Sequence, residues 1–345
     1  MFEFCFTISR NVLHDIAMAV AADIAIFNSS FVSSSIINSS SYHFCILTST
    51  ILLELRQELI AAHKSNYPNL KGTILLTPEG VNVRLSGTSV EVHSCQKQLR
   101  ELHPNLSRIS FRDVIDIINN SPCLPRFLVK IKTEVISMGL DASVGPASHP
   151  DKDHFTHISA KQLNDLIDGG NEDVVMLDTR NDYEFLQGTF PQSVVLPKLQ
   201  SFRDFPSHLT EAMKNRTLPP PRTGCKIVQF CTGGVRCEKS SIALEKEGYS
   251  RDDILQLDGG VLKYFQDVEK QGLENKFQGD LFVYDDRVCI GSDCQRSEKY
   301  TCCEKCRFPY NTANNIVDAN GTEVLCTKCS TPLKLSSRNR NLVFT

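Results

Sequence analysis

Residues 227–230, Ile-Val-Gln-Phe, run directly into Cys231-Thr232-Gly233-Gly234-Val235-Arg236-Cys237, and this junction constrains the chain more than any other stretch. A short apolar run reads as a strand covered on both faces, and two adjacent glycines let the backbone curl before a helix begins. The same pattern recurs on either side. Residues 174–178 (Val-Val-Met-Leu-Asp) and 255–257 (Leu-Gln-Leu) are further buried-strand segments. Ser159 caps an expected helix through residue 167, another helix is expected over 240–247, and Gly259-Gly260 opens a third from Val261. Strands alternating with helices in this way predict a small doubly wound α/β domain with a parallel sheet over residues 154–275. Residues 139–153, with Gly145, Pro146 and Pro150, have linker composition, and Pro219 to Pro221 sit in a loop between elements.

Ligands of open α/β sheets bind at the carboxyl ends of the strands, which is where Cys231 falls. Successive N–H groups of a glycine turn at a helix N-terminus form an anion cradle, and with Arg236 nearby they favour thiolate over thiol. The thiolate is a nucleophile whose sulfur can carry a covalent adduct such as a persulfide. Cys237 has two readings: a thiol that resolves such an adduct by exchange, or a small residue packed in the first helical turn. Arg236 either holds anionic groups or serves as a cap or ion pair. Asp178 and Arg180, at a strand end, read first as structural support for the loop.

Residues 42–138 carry the order β-α-β-β-α-β. Strands are expected over 43–47, 73–77, 81–85, 109–114 and 127–136. A helix is expected over 51–63, and a second, opened by the capping box Thr88/Glu91, runs through residue 102. The order resembles the split βαβ unit of ferredoxin-like domains. Lys130 and Lys132 project from one face of the last strand, either as a strip that tracks phosphates or as an ordinary solvated face. The turn around Glu79 and Asn82 offers side chains able to hydrogen-bond a base edge or ribose, although Asn82 equally suits a turn on conformational grounds.

The region 154–270 resembles a rhodanese domain, through Asp178-Thr179-Arg180 with Glu184 and Gly188, and through Leu257-Asp258-Gly259-Gly260. More narrowly, Cys231 to Lys239 (Cys-Thr-Gly-Gly-Val-Arg-Cys-Glu-Lys) is similar to the rhodanese-like tRNA uridine hydroxylases. So are Gly72 to Leu76, Glu79-Gly80-Val81-Asn82, Phe202 to Pro206 and Phe282 to Val288. The resemblance implies oxygen-dependent 5-hydroxylation of the wobble uridine of tRNA, with tRNA as substrate and molecular oxygen as co-substrate. It also implies that Cys231 is the active-site cysteine, within a loop of Thr232, Gly233, Gly234, Val235, Arg236 and Cys237. The alternative is a thiosulfate or persulfide sulfurtransferase, with Cys231 as carrier and a sulfur donor as partner. The sequence contains no G-x-G-x-x-G run, and nothing else in it points to a flavin or nicotinamide.

Seven of the fourteen cysteines crowd residues 289–329. Cys303-x2-Cys306 and Cys326-x2-Cys329, nineteen residues apart, read as a closed, structural four-thiolate zinc site in the extension over 276–345. Unpaired reduced thiols are the competing reading, and Cys302 or Cys294 could stand in as a ligand. Clustered rather than spread cysteines favour a reducing compartment. Residues 1–41, with their serine tracts and the single basic residue Arg10, read as a disordered extension. The cytoplasm is therefore the expected location, with a plastid or mitochondrion the alternative if the serine-rich stretch is a transit peptide. With 345 residues, 41% hydrophobic, the chain suits two or three globular domains, and no apolar run reaches membrane-spanning length. A net charge of −3 excludes a histone-like nucleic-acid binder but leaves local basic strips open.

Overall fold

A computed structural model of the chain describes residues 35–118, 121–139, 145–148, 155–221, 224–312, 326 and 328–329. The serine tracts before residue 35, with the targeting readings attached to them, lie outside the described residues. So do most of the linker and much of the cysteine-rich tail.

The first domain contains β1 (Ile36–Phe44), α1 (Ser49–Asn66), β2 (Lys71–Thr77), β3 (Gly80–Thr88), α2 (Ser89–Leu102), β4 (Arg112–Asp116) and β5 (Phe127–Ile131). Its sheet order is β4-β1-β3-β2-β5; the first four strands pair antiparallel and β5 joins β2 in parallel. This is the ferredoxin-like split βαβ with one added edge strand. Leu52, Leu55 and Leu59 of α1 and Val92, Cys95 and Leu99 of α2 pack on Ile74, Val81, Val83 and Leu85 of the sheet. Thr88 caps α2, accepting a hydrogen bond from the Glu91 N–H at 3.4 Å, as the capping box predicts.

The opening strand differs from expectation. It covers Ile36–Phe44 rather than 43–47, so the domain begins in residues assigned to a disordered extension. Its Ser39-Ser40-Ser41 core looks like low-complexity sequence, yet β1 lies in the middle of the sheet. Buried polar side chains are tolerated when hydrogen-bonded, and here they are. Ser86 Oγ donates to Asn38 Oδ1 at 2.6 Å, Asn38 Nδ2 to Asp116 at 3.3 Å, Gln96 Nε2 to Ser39 Oγ at 3.0 Å and Ser41 Oγ to the Ser110 carbonyl at 2.5 Å. The last strand also stops early, at Ile131, because the chain beyond it leaves the sheet for the second domain. Met138, counted with the first domain from the sequence, is buried in the second domain's core against Leu177 and Phe205.

The second domain contains β6 (Thr156–Ile158), α3 (Ala160–Gly169), β7 (Val174–Asp178), α4 (Asp182–Phe185), β8 (Gly188–Thr189), β9 (Val194–Val195), α5 (Phe205–Lys214), β10 (Lys226–Phe230), α6 (Val235–Lys246), β11 (Ile254–Leu257) and α7 (Gly260–Gln271). The five-stranded sheet is parallel, in order β6-β11-β10-β7-β9. Ser159 caps α3 in a full capping box. Helix α6 begins at Val235, directly after the glycines, and not at residue 240. The domain also extends past its expected end at 275. Phe277 stacks edge-on against Phe190 and Phe265, and Leu281, Val283, Ile290 and Cys294 join the same core. Among the described residues no helix is long and apolar enough to cross a membrane.

Candidate active site

Strand β10 ends at Phe230, and the next residue, Cys231, sits fully buried at the turn into α6. The Gly234 N–H donates to Cys231 Sγ at 3.1 Å. The turn closes against the start of α7, where the Val261 and Leu262 N–H groups donate to the carbonyls of Cys231 and Thr232, each at 3.0 Å. This contact explains the second glycine pair. Gly260 has φ +65°, and a Cβ there would lie 2.4 Å from the Cys231 carbonyl oxygen.

The electrostatics favour a thiolate. Burial pushes the Cys231 thiol up, but a hydrogen bond from the Cys237 thiol, the Arg236 charge and the N–H groups of Arg236 and Gly233 outweigh it and lower it to about 5. Cys237, also fully buried, moves the other way: burial and the neighbouring Cys231 sulfur hold it well above the ordinary thiol range. The two cysteines of the loop therefore divide into an ionised sulfur and a protonated donor.

Arg236 does not face open space for a substrate anion. Its guanidinium is gripped by Glu184 of α4 through two hydrogen bonds of 2.6 and 2.7 Å, and Tyr284 Oη donates to the same carboxylate at 2.6 Å. Arg236 Nη2 also donates to Thr232 Oγ1 at 3.2 Å, which ties the pair to the loop. Asp178 and Arg180 form a second, fully buried pair, at 2.6 Å for the closest contact. Arg180 further donates to the Gly188 carbonyl at 2.6 Å and Thr189 to Asp178 at 2.8 Å, so these residues brace the strand ends behind the loop.

The first domain also reaches the loop, through residues that no local motif marks. Arg112, in β4, donates to the Gly233 carbonyl at 2.8 Å and to the Gly259 carbonyl. Tyr42, in β1, donates to Glu238 of α6 at 3.1 Å. Lys239 of α6 is fully buried between Glu134 at 2.5 Å and Glu79 at 2.8 Å. The ferredoxin-like sheet is thus seated on the Cys231 loop and the helix that follows it.

That seating corrects the expected nucleic-acid contacts. Glu79 is buried, pairing with Lys239 and accepting from the Val135 N–H at 2.6 Å, so it is not a reader of base edges. Asn82 is half-buried inside β3, its Nδ2 donating to the Val135 carbonyl at 3.3 Å, and is not a turn residue. Lys130 lies on β5 and Lys132 just past its end; with Arg56 they line a shallow surface concavity at the opposite edge of the sheet from β4.

The Sγ atoms of Cys303, Cys306, Cys326 and Cys329 all lie within 4.8 Å of one another. Cys303 and Cys329 are 3.6 Å apart, Cys306 and Cys326 3.5 Å. A tetrahedral ion with bonds of about 2.3 Å requires sulfurs roughly 3.8 Å apart, so the four thiols fit zinc in spacing as well as in donor chemistry. Cys303 and Cys306 occupy the turn between the paired segments Tyr300–Cys302 and Pro309–Asn311. Cys302 packs instead with Phe282 and Val288, and Cys294 with the second domain's core; neither is a ligand.

With the fold and loop in view, comparison with known proteins gives two domain matches. Residues 36–135 match the UPF0176 acylphosphatase-like domain and residues 159–267 the rhodanese-like domain. The two matches place a UPF0176 acylphosphatase-like domain ahead of a rhodanese-like domain in one chain. Its rhodanese-like part is similar to solved structures over about a third of the chain. One is the rhodanese-like domain of an Anabaena protein, at 15% identity over 36% of this chain and 78% of that one, TM-score 0.27. A Bacillus halodurans protein matches at 17% identity over 38% and 82%, TM-score 0.27. A Pseudomonas aeruginosa thiosulfate sulfurtransferase matches at 18% identity over 35% and 20%, TM-score 0.26. The rhodanese-like match together with the Cys231 loop supports a sulfur-related enzymatic activity.

Proposed function

We propose that the protein is a tRNA-modifying oxidoreductase that 5-hydroxylates the wobble uridine, with molecular oxygen as co-substrate and Cys231 as its reactive sulfur. The observation that carries this reading is the seating of the UPF0176-type domain on the Cys231 loop through Arg112 and Tyr42. A sulfurtransferase acting on small molecules needs only the rhodanese sheet and its loop. A domain fused to that loop suits a larger substrate, and the basic concavity of Arg56, Lys130 and Lys132 offers phosphate contacts on the same domain. The sequence blocks that resemble the tRNA uridine hydroxylases, from Gly72 to Val288, span both domains.

The second reading is favoured by the loop itself. The Cys231 thiolate attacks the outer sulfur of thiosulfate, an S–S bond forms as the S–S bond of the donor breaks, and sulfite leaves with the electron pair. The amide that donates to Cys231 Sγ would then serve the persulfide. Nucleoside mass spectrometry of bulk tRNA separates the two. A strain lacking the protein should lose 5-hydroxyuridine-derived nucleosides at the wobble position, and Cys231→Ser should fail to restore them. Unchanged wobble nucleosides together with sulfur transfer from thiosulfate to cyanide would replace the first reading by the second.

A further inference from the structure

Arg112, half-buried in β4, differs from the buried arginines of this protein in its partners. Arg180, Arg236 and Arg287 each grip a carboxylate, at 2.6, 2.6 and 2.8 Å. The hydrogen bonds of the Arg112 guanidinium go to two main-chain carbonyls, those of Gly233 and Gly259, which belong to the two glycine turns on either side of Cys231. A half-buried guanidinium whose hydrogen bonds go only to carbonyl oxygens is favoured by a counter-charge nearby. The anionic groups around it are the Cys231 sulfur and Asp258.

The choice of carbonyl has a consequence. The Gly233 C=O and the Gly234 N–H belong to one peptide unit, and in a planar trans peptide they point in opposite directions. Arg112 holds the oxygen on one side, and the N–H on the other side donates to Cys231 Sγ at 3.1 Å. Gly234 has φ +93°, so this peptide plane is not fixed by ordinary backbone preferences and requires an external hold.

We propose that Arg112 is a positioning residue of the reactive loop: the ferredoxin-like domain supplies a guanidinium fork that orients the Gly233–Gly234 peptide toward the Cys231 sulfur and places a positive charge beside it. This makes the first domain part of the thiol's activation and not merely a platform for substrate. The other titratable and charged groups around the sulfur and the Arg112 guanidinium are Arg236 and Cys237 of α6, Tyr42 of β1 with Glu238 beyond it, and Asp258 just after β11. Tyr42 is held protonated by burial, then by Glu238. It therefore adds no charge while the thiol titrates.

The test is the pH dependence of Cys231 alkylation by iodoacetamide, read peptide by peptide by mass spectrometry on the full chain with no RNA or sulfur donor present. Arg112→Gln should raise the pH of half-maximal alkylation by about one unit, a roughly tenfold loss of thiolate below it. Arg112→Lys keeps the charge but cannot fork across two carbonyls, and should shift the profile in the same direction by less. A role confined to domain adhesion would lower the melting temperature and leave the profile unmoved; that result in either folded variant would overturn the proposal. If Arg112→Gln does not fold, Arg112→Lys alone decides. The readout uses no substrate, so its failure leaves the functional reading standing, and unchanged wobble nucleosides in the null strain leave the role of Arg112 standing.

Discussion

Two groups of cysteines in this chain show how environment divides one side chain into two chemistries. Around Cys231, main-chain amides, the Arg236 charge and a donating thiol surround a single sulfur and lower it to about 5 despite burial. In the tail, four sulfurs crowd one another within 4.8 Å. There burial and the neighbouring thiols raise Cys306 to about 12, against the pull of the Phe308 N–H. A sulfur surrounded by donors is ready to attack as it stands. A sulfur surrounded by other sulfurs needs a cation before it can ionise. The first arrangement suits a reaction and the second a clamp for a short tail.

The largest expected effects come from separating the two groups. Cys231→Ser should abolish activity while the protein retains about one equivalent of metal per chain. Chelation, or Cys306→Ser, should release the metal and melt the tail around the Tyr300–Cys302 hairpin, while the alkylation profile of Cys231 stays where it was. Metal analysis and site-resolved alkylation on the same samples check both. A Cys231 profile that moves with metal content would break the division.

Next in size is Glu184→Ala. Glu184 is fully buried and holds Arg236 by two hydrogen bonds, so removing it leaves a buried guanidinium unpaired. Breaking such a pair costs about 3–5 kcal/mol, measurable as a fall in the urea midpoint. The corresponding loss should not occur when a tail cysteine is replaced, since no buried ion pair is opened there.

The acidity of Cys231 also predicts a pH dependence of stability. A group whose pKa falls on folding contributes stability that is fully present above its unfolded value, about 8.5 for a thiol, and is lost as the pH falls through its folded value. For Cys231 that window runs from about 8.5 down to about 5. Cys237, shifted upward, stays protonated in both states across most of the window and adds little slope. Between pH 8.5 and 5.5, wild type should therefore lose more stability than Cys231→Ala, by denaturant titration. Parallel curves for the two proteins would contradict an ionised Cys231.

Much of this was legible in the sequence, and the failures share a cause. Continuous apolar strands and capping residues marked β7, β10, β11 and α3 closely, because local pattern decides them. The Cys-x2-Cys spacing found the four-thiol cluster, which could hold a metal ion, for the same reason. Strand β1 escaped because its serines and Asn38 are buried by partners far along the chain, Ser86, Gln96 and Asp116. Arg112, Tyr42 and Lys239 escaped likewise. Each matters through contacts between domains, and no local period encodes those. Glu79 was read as an RNA contact, but its partner Lys239 lies on α6 of the other domain, which makes its role structural.

The smallest effect, and the sharpest probe of the reactive loop, is the difference between its two glycines. Sequence treats Gly233 and Gly234 alike. In the structure a Cβ on Gly233 would meet nothing within 4 Å, whereas one on Gly234, at φ +93°, would lie 2.8 Å from Tyr42 Oη. Gly233→Ala should therefore be nearly neutral, within about 0.5 kcal/mol, and Gly234→Ala should cost about 1–3 kcal/mol. The two components of that cost are separable. Tyr42→Phe removes the hydroxyl that the new methyl would strike, so the double variant should recover the steric part of the loss and keep the backbone part. A double-mutant cycle measured by urea unfolding gives the coupling, expected at about 0.5–1 kcal/mol in the compensating direction. Strict additivity would mean that Tyr42 does not press on the loop, and would remove one of the contacts by which the first domain shapes the environment of Cys231.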